Sequence, residues 1–267
     1  MLQDTIFVFG SNKAGRHGRG AAKHALQYCG AIYGQDEGLQ GRSYAIPTKE
    51  RDWKIRSLPD IKEAVVRFLR FADEHAEMTF QVTRVGCGLA RLPDEEIFPL
   101  FKAAPTNCLL PGIWEAKRTG VQRLLIDGSR TCENYDLLYE EADKAIAAWG
   151  LKSTEVEIVH TVANGAPSLA ARYAKERGMR PVVFEAQWNR LGKNAGVICN
   201  ESMAWYSTHA LILWDGRSGD ARHMHETAQK SRLRTRPVLF EVAAQPVARV
   251  APKGIVQAQP QLRQKQG

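Results

Sequence analysis

Val8-Phe-Gly-Ser-Asn-Lys-Ala-Gly-Arg-His-Gly-Arg-Gly-Ala-Ala-Lys-His-Ala-Leu26 joins a short apolar strand, residues 5–9, to a helix of small residues, 21–28. The loop between them holds Gly10, Gly15, Gly18 and Gly20. Strand, glycine loop and helix in that order open an α/β fold. Glycines let backbone N–H groups come close to an anion, and the free N–H groups at a helix start favour a phosphate there. The loop reads as a diphosphate cradle, with plain turn chemistry as the other reading. Arg16, His17, Arg19 and Lys23 around the glycines add cationic or hydrogen-bonding groups that suit the cradle.

The chain has 267 residues, long for one domain and comfortable for two. Its apolar and charged fractions, 44% and 25%, are those of a soluble globular protein. Residues 243–267 differ: they hold Gln, Ala, Pro and Val without an aromatic or an acid, and read as a disordered basic tail. The net charge of +8 is uneven. Residues 1–118 carry 17 basic against 14 acidic side chains, residues 119–242 carry 16 against 15, and the tail carries 4 against none. Half the excess therefore sits on the tail, which limits nucleic-acid binding to weak, non-specific contact there.

Five cysteines (Cys29, Cys87, Cys108, Cys132, Cys199) are an odd number without a C-x-x-C pair. They suit reduced thiols in a cytosol, not a disulfide frame or a zinc site. His223 and His225 lie two apart on an expected helix and point to different sides, against a metal pair. No secretory leader and no apolar run of bilayer length is visible. The expectation is a cytoplasmic protein that does not enter a membrane, with no metal and no resident cofactor.

Along the first half, Tyr44 and Ile46 alternate as in a short strand that Pro47 ends, so Lys49 falls just past a strand end. Leu58-Pro59-Asp60 opens a helix whose apolar face is Ile61, Val65, Phe68, Leu69 and Ala72. A strand over 79–85 runs into a second glycine turn, Gly86-Cys87-Gly88-Leu89. A short helix near 94–102 and a strand near 107–110 follow. Two glycine turns at strand ends can converge on one crevice, because α/β sheets bind ligands at the carboxyl ends of their strands.

Phe9-Gly-Ser-Asn12, Gly15-Arg-His-Gly-Arg-Gly20, Ile46-Pro-Thr-Lys49 and Val85-Gly-Cys-Gly-Leu89 together resemble a macro domain, in particular a macro-like family of phages and bacteria. The later segments, with Arg91-Leu92, are also similar to the terminal ADP-ribose glycohydrolase branch. The resemblance implies a mixed-sheet domain over residues 1–118 that binds ADP-ribose or a related NAD-derived nucleotide. It places Gly10, Ser11, Gly15, Gly18 and Gly20 around the diphosphate, Asn12 beside the distal ribose, and Gly86, Cys87, Gly88 and Leu89 over it. In the glycohydrolase branch a lysine attacks the anomeric carbon and an aspartate assists. Lys49 stands at the lysine position, but the aspartate position is Ala90, which cannot move a proton. His17 is the other catalytic candidate, with a pKa suited to acid or base work.

Residues 119–242 alternate strand and helix. Strands are expected over 122–126, 155–161, 181–184, 209–214 and 237–241, with helices up to Trp149, over 167–177, and near Asn200 and Ala221. This is the pattern of a doubly wound parallel sheet. Gly128-Ser129-Arg130, Asn164-Gly165 and Asp215-Gly216-Arg217-Ser218 stand at strand ends. With Trp188, Gly192-Lys193-Asn194, Asn200 and Met203 they resemble the SLOG superfamily, Rossmann-like nucleotide-binding domains akin to the lonely-guy phosphoribohydrolases. That resemblance places ligand-binding roles on Gly128, Ser129, Arg130, Asn164, Gly165, Lys193, Asn200, Asp215, Gly216 and Ser218. The branch's His-Gly-Gly-Ala-x-Gly-Ala-Asp is replaced by His160-Thr-Val-Ala-Asn-Gly-Ala-Pro167, and a helix-opening Gly-Thr by Asp220-Ala221, changes that remove phosphate donors.

Together the two resemblances imply work on ADP-ribose or related nucleotides. One reading is an eraser of ADP-ribosyl groups on protein or nucleic acid, an ADP-ribosyl glycohydrolase or nucleotide N-glycosidase. The other is a non-catalytic nucleotide sensor or sponge in conflict between phage and host. A homo-oligomer is compatible with either.

Overall fold

The computed structural model describes residues 5–242. The tail expected over 243–267 lies outside the described residues.

The first half is built on β1 (Thr5–Asn12), α1 (Gly20–Tyr28), β2 (Gly38–Gln40), β3 (Ser43–Lys49), α2 (Leu58–Glu74), β4 (Thr79–Val82), α3 (Asp94–Phe101) and β5 (Cys108–Leu109). The sheet order is β2-β3-β1-β4-β5, with β2 antiparallel to β3 and the remaining pairs parallel. Helix α2 starts where Ser57 accepts a hydrogen bond from the Asp60 N–H and Pro59 sits in the first turn. Its stripe of Ile61, Ala64, Val65, Phe68 and Ala72 packs on Val8, Tyr44, Ile46, Phe80 and Val82. The opposite face, Phe7, Phe9 and Ala45, is covered by Ala22 and Ala25 of α1. With both faces covered, β3 is buried almost continuously, without the alternation expected of Tyr44 and Ile46.

Three boundaries differ from the sequence reading. Strand β1 runs on to Asn12, so Gly10, Ser11 and Asn12 belong to the strand end. Pro47 does not end β3: it pairs in register with Ser11, and it lies between the end of the β2 pairing at Ala45 and the Lys49–Ile55 bridge, a gap in the outer pairing that tolerates a missing N–H. Strand β4 stops at Val82, because the next residues fold into tight turns, Val85 N–H to the Thr83 carbonyl and Cys87 N–H to that of Arg84.

Helix α4 (Gly112–Thr119), which the sequence reading did not anticipate, leads into the second half. There the chain forms β6 (Gln122–Gly128), α5 (Tyr135–Ala148), β7 (Val156–Thr161), α6 (Ala166–Glu176), β8 (Arg180–Phe184), a short α7 (Trp188–Leu191), α8 (Ala195–Tyr206), β9 (His209–Trp214), α9 (Gly219–Lys230) and β10 (Arg234–Leu239). All five strands are parallel in the order β10-β9-β6-β7-β8. The last strand begins and ends earlier than the expected 237–241; Pro237 sits inside it, at the sheet edge where a missing donor costs little. Leu124, Ile126, Ile158, Leu211 and Leu213 pack under α5 and α6, while Leu125, Val159, Ala210 and Ile212 pack under α8 and α9. This is the doubly wound arrangement, and the strand order reverses between β6 and β9.

Side chains join the two halves. Trp114 of α4 is fully buried against Phe101 in the first core, with its indole N–H 2.6 Å from an Asp94 oxygen, and so anchors the connecting helix. From the second half, Trp205 of α8 donates to the Val82 carbonyl of β4 at 2.8 Å. Arg84, paired with Asp94, also donates to the Ser231 carbonyl at 2.8 Å.

Candidate functional site

At the carboxyl end of the first sheet, three segments converge. Strand β1 and the turn after β4 approach so closely that a Cβ on Gly10 would lie 3.3 Å from the Gly86 nitrogen. Gly20, at the start of α1, has its nearest neighbour in Leu89, at 3.4 Å from the Cβ position. The Lys49 ammonium donates to the Leu89 carbonyl at 3.0 Å. The start of α1, the end of β3 and the turn over residues 86–89 therefore border one another.

The loop is fastened from below. Asn12 Oδ1 accepts from the Ala14 and Arg16 N–H groups at 3.2 Å, and its Nδ2 donates to the Arg16 carbonyl at 2.7 Å. The amide is thus occupied in shaping the loop. Gly15 has φ +62°, and a Cβ there would lie 2.3 Å from the Gly34 carbonyl carbon, so only glycine fits. Ser11 donates to the Asp36 carbonyl. His17 is fully buried, edge-on to Phe9, with Nε2 3.1 Å from the Gln35 carbonyl oxygen; burial holds its pKa below the usual histidine value.

What these anchors leave on the surface is Arg16, Gly18, Arg19 and Gly20. Gly18 and Gly88 have no atom within 4 Å of a Cβ position: both face open space. Cys87 is buried, which pushes its thiol up to about 12 and leaves it a poor nucleophile. Ala90 is buried too. Among the described residues no carboxylate pairs with Lys49. Burial would raise the nearby Asp94, but its bonds from Arg84 and Trp114 hold it below the usual carboxylate range.

The second candidate site lies at the reversal of strand order between β6 and β9. Gly128 lies so close to β9 that a Cβ would sit 2.0 Å from the Leu213 carbonyl oxygen. Ser129 donates its N–H to that carbonyl at 2.8 Å and accepts the Asp215 N–H on its hydroxyl at 3.1 Å. Asp215 in turn accepts from the Arg217 and Ser218 N–H groups and the Thr131 hydroxyl. Burial opposes ionisation of Asp215, but these donors outweigh it and hold its pKa at about 2. Ser218 caps α9. Gly165, at φ +79°, lets the turn before α6 lie against Ser129 and Arg130, with the exposed Asn164 beside it.

The structure therefore brings Gly128, Ser129, Arg130, Gly165, Asp215 and Ser218 together. Asn200 lies elsewhere on the α8 to α9 contact, its amide 3.0 Å from His223 Nδ1. Lys193 and Gly216 are exposed, Lys193 in a separate short turn. Asp220, which replaces a phosphate donor, pairs with Arg130 at 3.4 Å. The sequence reading passed over Asp127. It is buried at the carboxyl end of β6, with one oxygen accepting the Gly128 N–H, and burial raises its pKa to about 7. An acid directly after the apolar Leu124-Leu125-Ile126 was the signal that could have found it.

Among the described residues, no group of three or more His, Cys, Asp or Glu is placed to hold a metal ion, and no helix is long and apolar enough to cross a membrane.

Residues 122–191, from β6 to α7, match the model of the YAcAr family, described as the YspA, cpYpsA-related SLOG family. The match supports the SLOG, Rossmann-like reading of the second half. No curated protein and no solved structure matches the chain.

Proposed function

We propose that the chain binds ADP-ribose or a related NAD-derived nucleotide in the groove between residues 13–20, Lys49 and residues 86–89, and holds it without cleaving it, as a nucleotide sensor or sponge. The observation that carries this reading is the pair Gly18 and Gly88, which face open space from two separate segments with Lys49 beside them. A diphosphate suits a groove of bare backbone flanked by Arg16, Arg19 and Lys49. The SLOG match in the second half agrees in kind, since it too points to a nucleotide-type ligand.

Holding is favoured over cleaving for a chemical reason. Cleavage at the anomeric carbon needs a proton donor or acceptor next to the nucleophile. The position of that acid is the buried methyl of Ala90, and the partner of Lys49 is a carbonyl.

Gly18 offers a clean test, because it needs no left-handed backbone and has no neighbour to clash with. Gly18→Val should fill the groove and leave thermal stability unchanged. In calorimetry the wild type is expected to bind ADP-ribose and the variant to bind it about tenfold more weakly or worse, a loss of ~1.4 kcal/mol. Equal affinities overturn the reading. The position of Lys49 favours the eraser as the second reading, which expects turnover of ADP-ribosylated protein or DNA that Lys49→Ala abolishes; the sensor reading expects none from either protein.

A further inference from the structure

On the α1 side of the first sheet the exposed strand chemistry changes along the row. Phe7, Phe9 and Ala45 are apolar under α1, whereas Gln81 of β4 and Thr83 just after it are polar where α8 of the second half takes over the cover. Between β4 and α8 lies a cleft of about 540 Å³. Trp205 and Ser202 line its α8 wall.

Two polar atoms in its lining are buried without a partner: Gln81 Oε1 and Ser207 Oγ. Their residues are 5% and 0% exposed. His24 Nε2, also in the lining, is a third such atom. A buried polar atom left unpaired costs about 1–3 kcal/mol, so groups of this kind ordinarily have something to bond. The remaining lining supplies charge. Lys230 and Arg232, at the end of α9, are exposed and make no ion pair among the described residues, while Glu201 is the one carboxylate there. The lining includes Gly20, the first residue of α1, whose N-cap Arg19 provides no side-chain cap. A phosphate answers both the uncapped N–H groups and the two free cations.

We propose that this cleft is a binding site for a ribosyl phosphate, the phosphate at Lys230, Arg232 and the first turn of α1, the sugar or its base at Gln81 and Ser207. The volume suits a mononucleotide, within the ~300–1,000 Å³ common for small-molecule sites. The site borders the glycine groove at Gly20, Cys87 and Gly88 but is completed by the second half, and it stands whether or not the groove binds ADP-ribose.

Calorimetry on the full chain with AMP, ribose 5-phosphate and adenosine tests it. The double variant Lys230→Gln, Arg232→Gly is suitable, since Arg232 has φ +57° and glycine accepts that backbone readily. The expected result is 1:1 AMP binding that the double variant weakens about tenfold or more and Gly18→Val leaves unchanged, with adenosine far weaker than AMP. Ribose 5-phosphate binding as tightly as AMP identifies the sugar phosphate as the recognised part; tighter AMP binding adds the base. Ser207→Ala should leave the unliganded protein at least as stable and weaken AMP about threefold, because the hydroxyl has no protein partner to lose. The proposal is overturned by no AMP binding at millimolar concentration, by affinity that the double variant does not change, or by AMP binding that only Gly18→Val removes, which would put the nucleotide in the groove.

Discussion

Asp127 shows how one side chain can set the pH response of the fold. Its folded pKa of about 7 stands above the ordinary carboxylate value of 3.8, so between those values the folded protein holds a proton that the unfolded chain has released. Its stabilising contribution is complete below about pH 4 and is lost as pH rises through 7, a swing of about 4 kcal/mol at ~1.4 kcal/mol per unit. His209 acts in the opposite sense: burial first, then the Arg234 charge, push its pKa down to about 4, so it costs stability as pH falls from 6.5 towards 4. Comparison of Asp127→Asn with the wild type isolates the carboxyl. The amide oxygen can still accept the Gly128 N–H, so urea unfolding should give equal stabilities at pH 4 and a variant more stable by up to about 4 kcal/mol at pH 8. A variant that is less stable at pH 8 would mean that the ionised carboxylate has a favourable partner in the crevice.

Among the elements, α4 owes its place in the fold to a missing side chain. A Cβ on Gly112 would lie 1.9 Å from the Tyr206 carbonyl oxygen and 2.7 Å from that of Ser207, both backbone atoms at the end of α8 that cannot swing aside. Gly112→Ala should therefore force α4 and α8 apart and cost about 3 kcal/mol in urea unfolding, although alanine favours helix. This contact also marks the limit of what the sequence made legible. An element with a clear opening and a one-sided stripe was readable: Leu58-Pro59-Asp60 opens α2, and the face from Ile61 to Ala72 is the one buried. The Rossmann-like alternation of the second half was equally plain, because parallel strands buried on both faces read as short apolar runs. Helix α8 was not readable in the same way. Ala-Gly-Val-Ile-Cys-Asn-Glu-Ser-Met-Ala-Trp-Tyr has no single apolar side, since Met203 and Ala204 face one sheet while Trp205 reaches the other. For the glycine loop, sequence did not show that Asn12 and His17 are turned inward to hold the loop, because side-chain direction there depends on Gln35 and Phe9.

At the scale of the whole molecule, Trp205 reaches from the second half into the first and makes the two sheets answer to one another. Trp114 fixes α4 to the first core, stacked on Phe101 at 5.1 Å between ring centres, while Trp205 of α8 bonds the Val82 carbonyl. The proposed ribosyl phosphate site shares this construction, since Trp205 forms part of its wall and both halves of the chain supply lining residues. A joint made of two buried or half-buried indoles, an Asp94 to Arg84 to Ser231 bridge and the α4 to α8 backbone contact should keep the halves from unfolding independently. Urea transitions followed by tryptophan fluorescence and by far-ultraviolet circular dichroism are therefore expected to coincide in the wild type. Trp205→Ala removes one of the two indoles and its hydrogen bond, at a cost of about 3 kcal/mol charged to the joint and not to either core. In that variant the two transitions should separate; a wild type that already unfolds in two steps would show that these contacts do not couple the sheets.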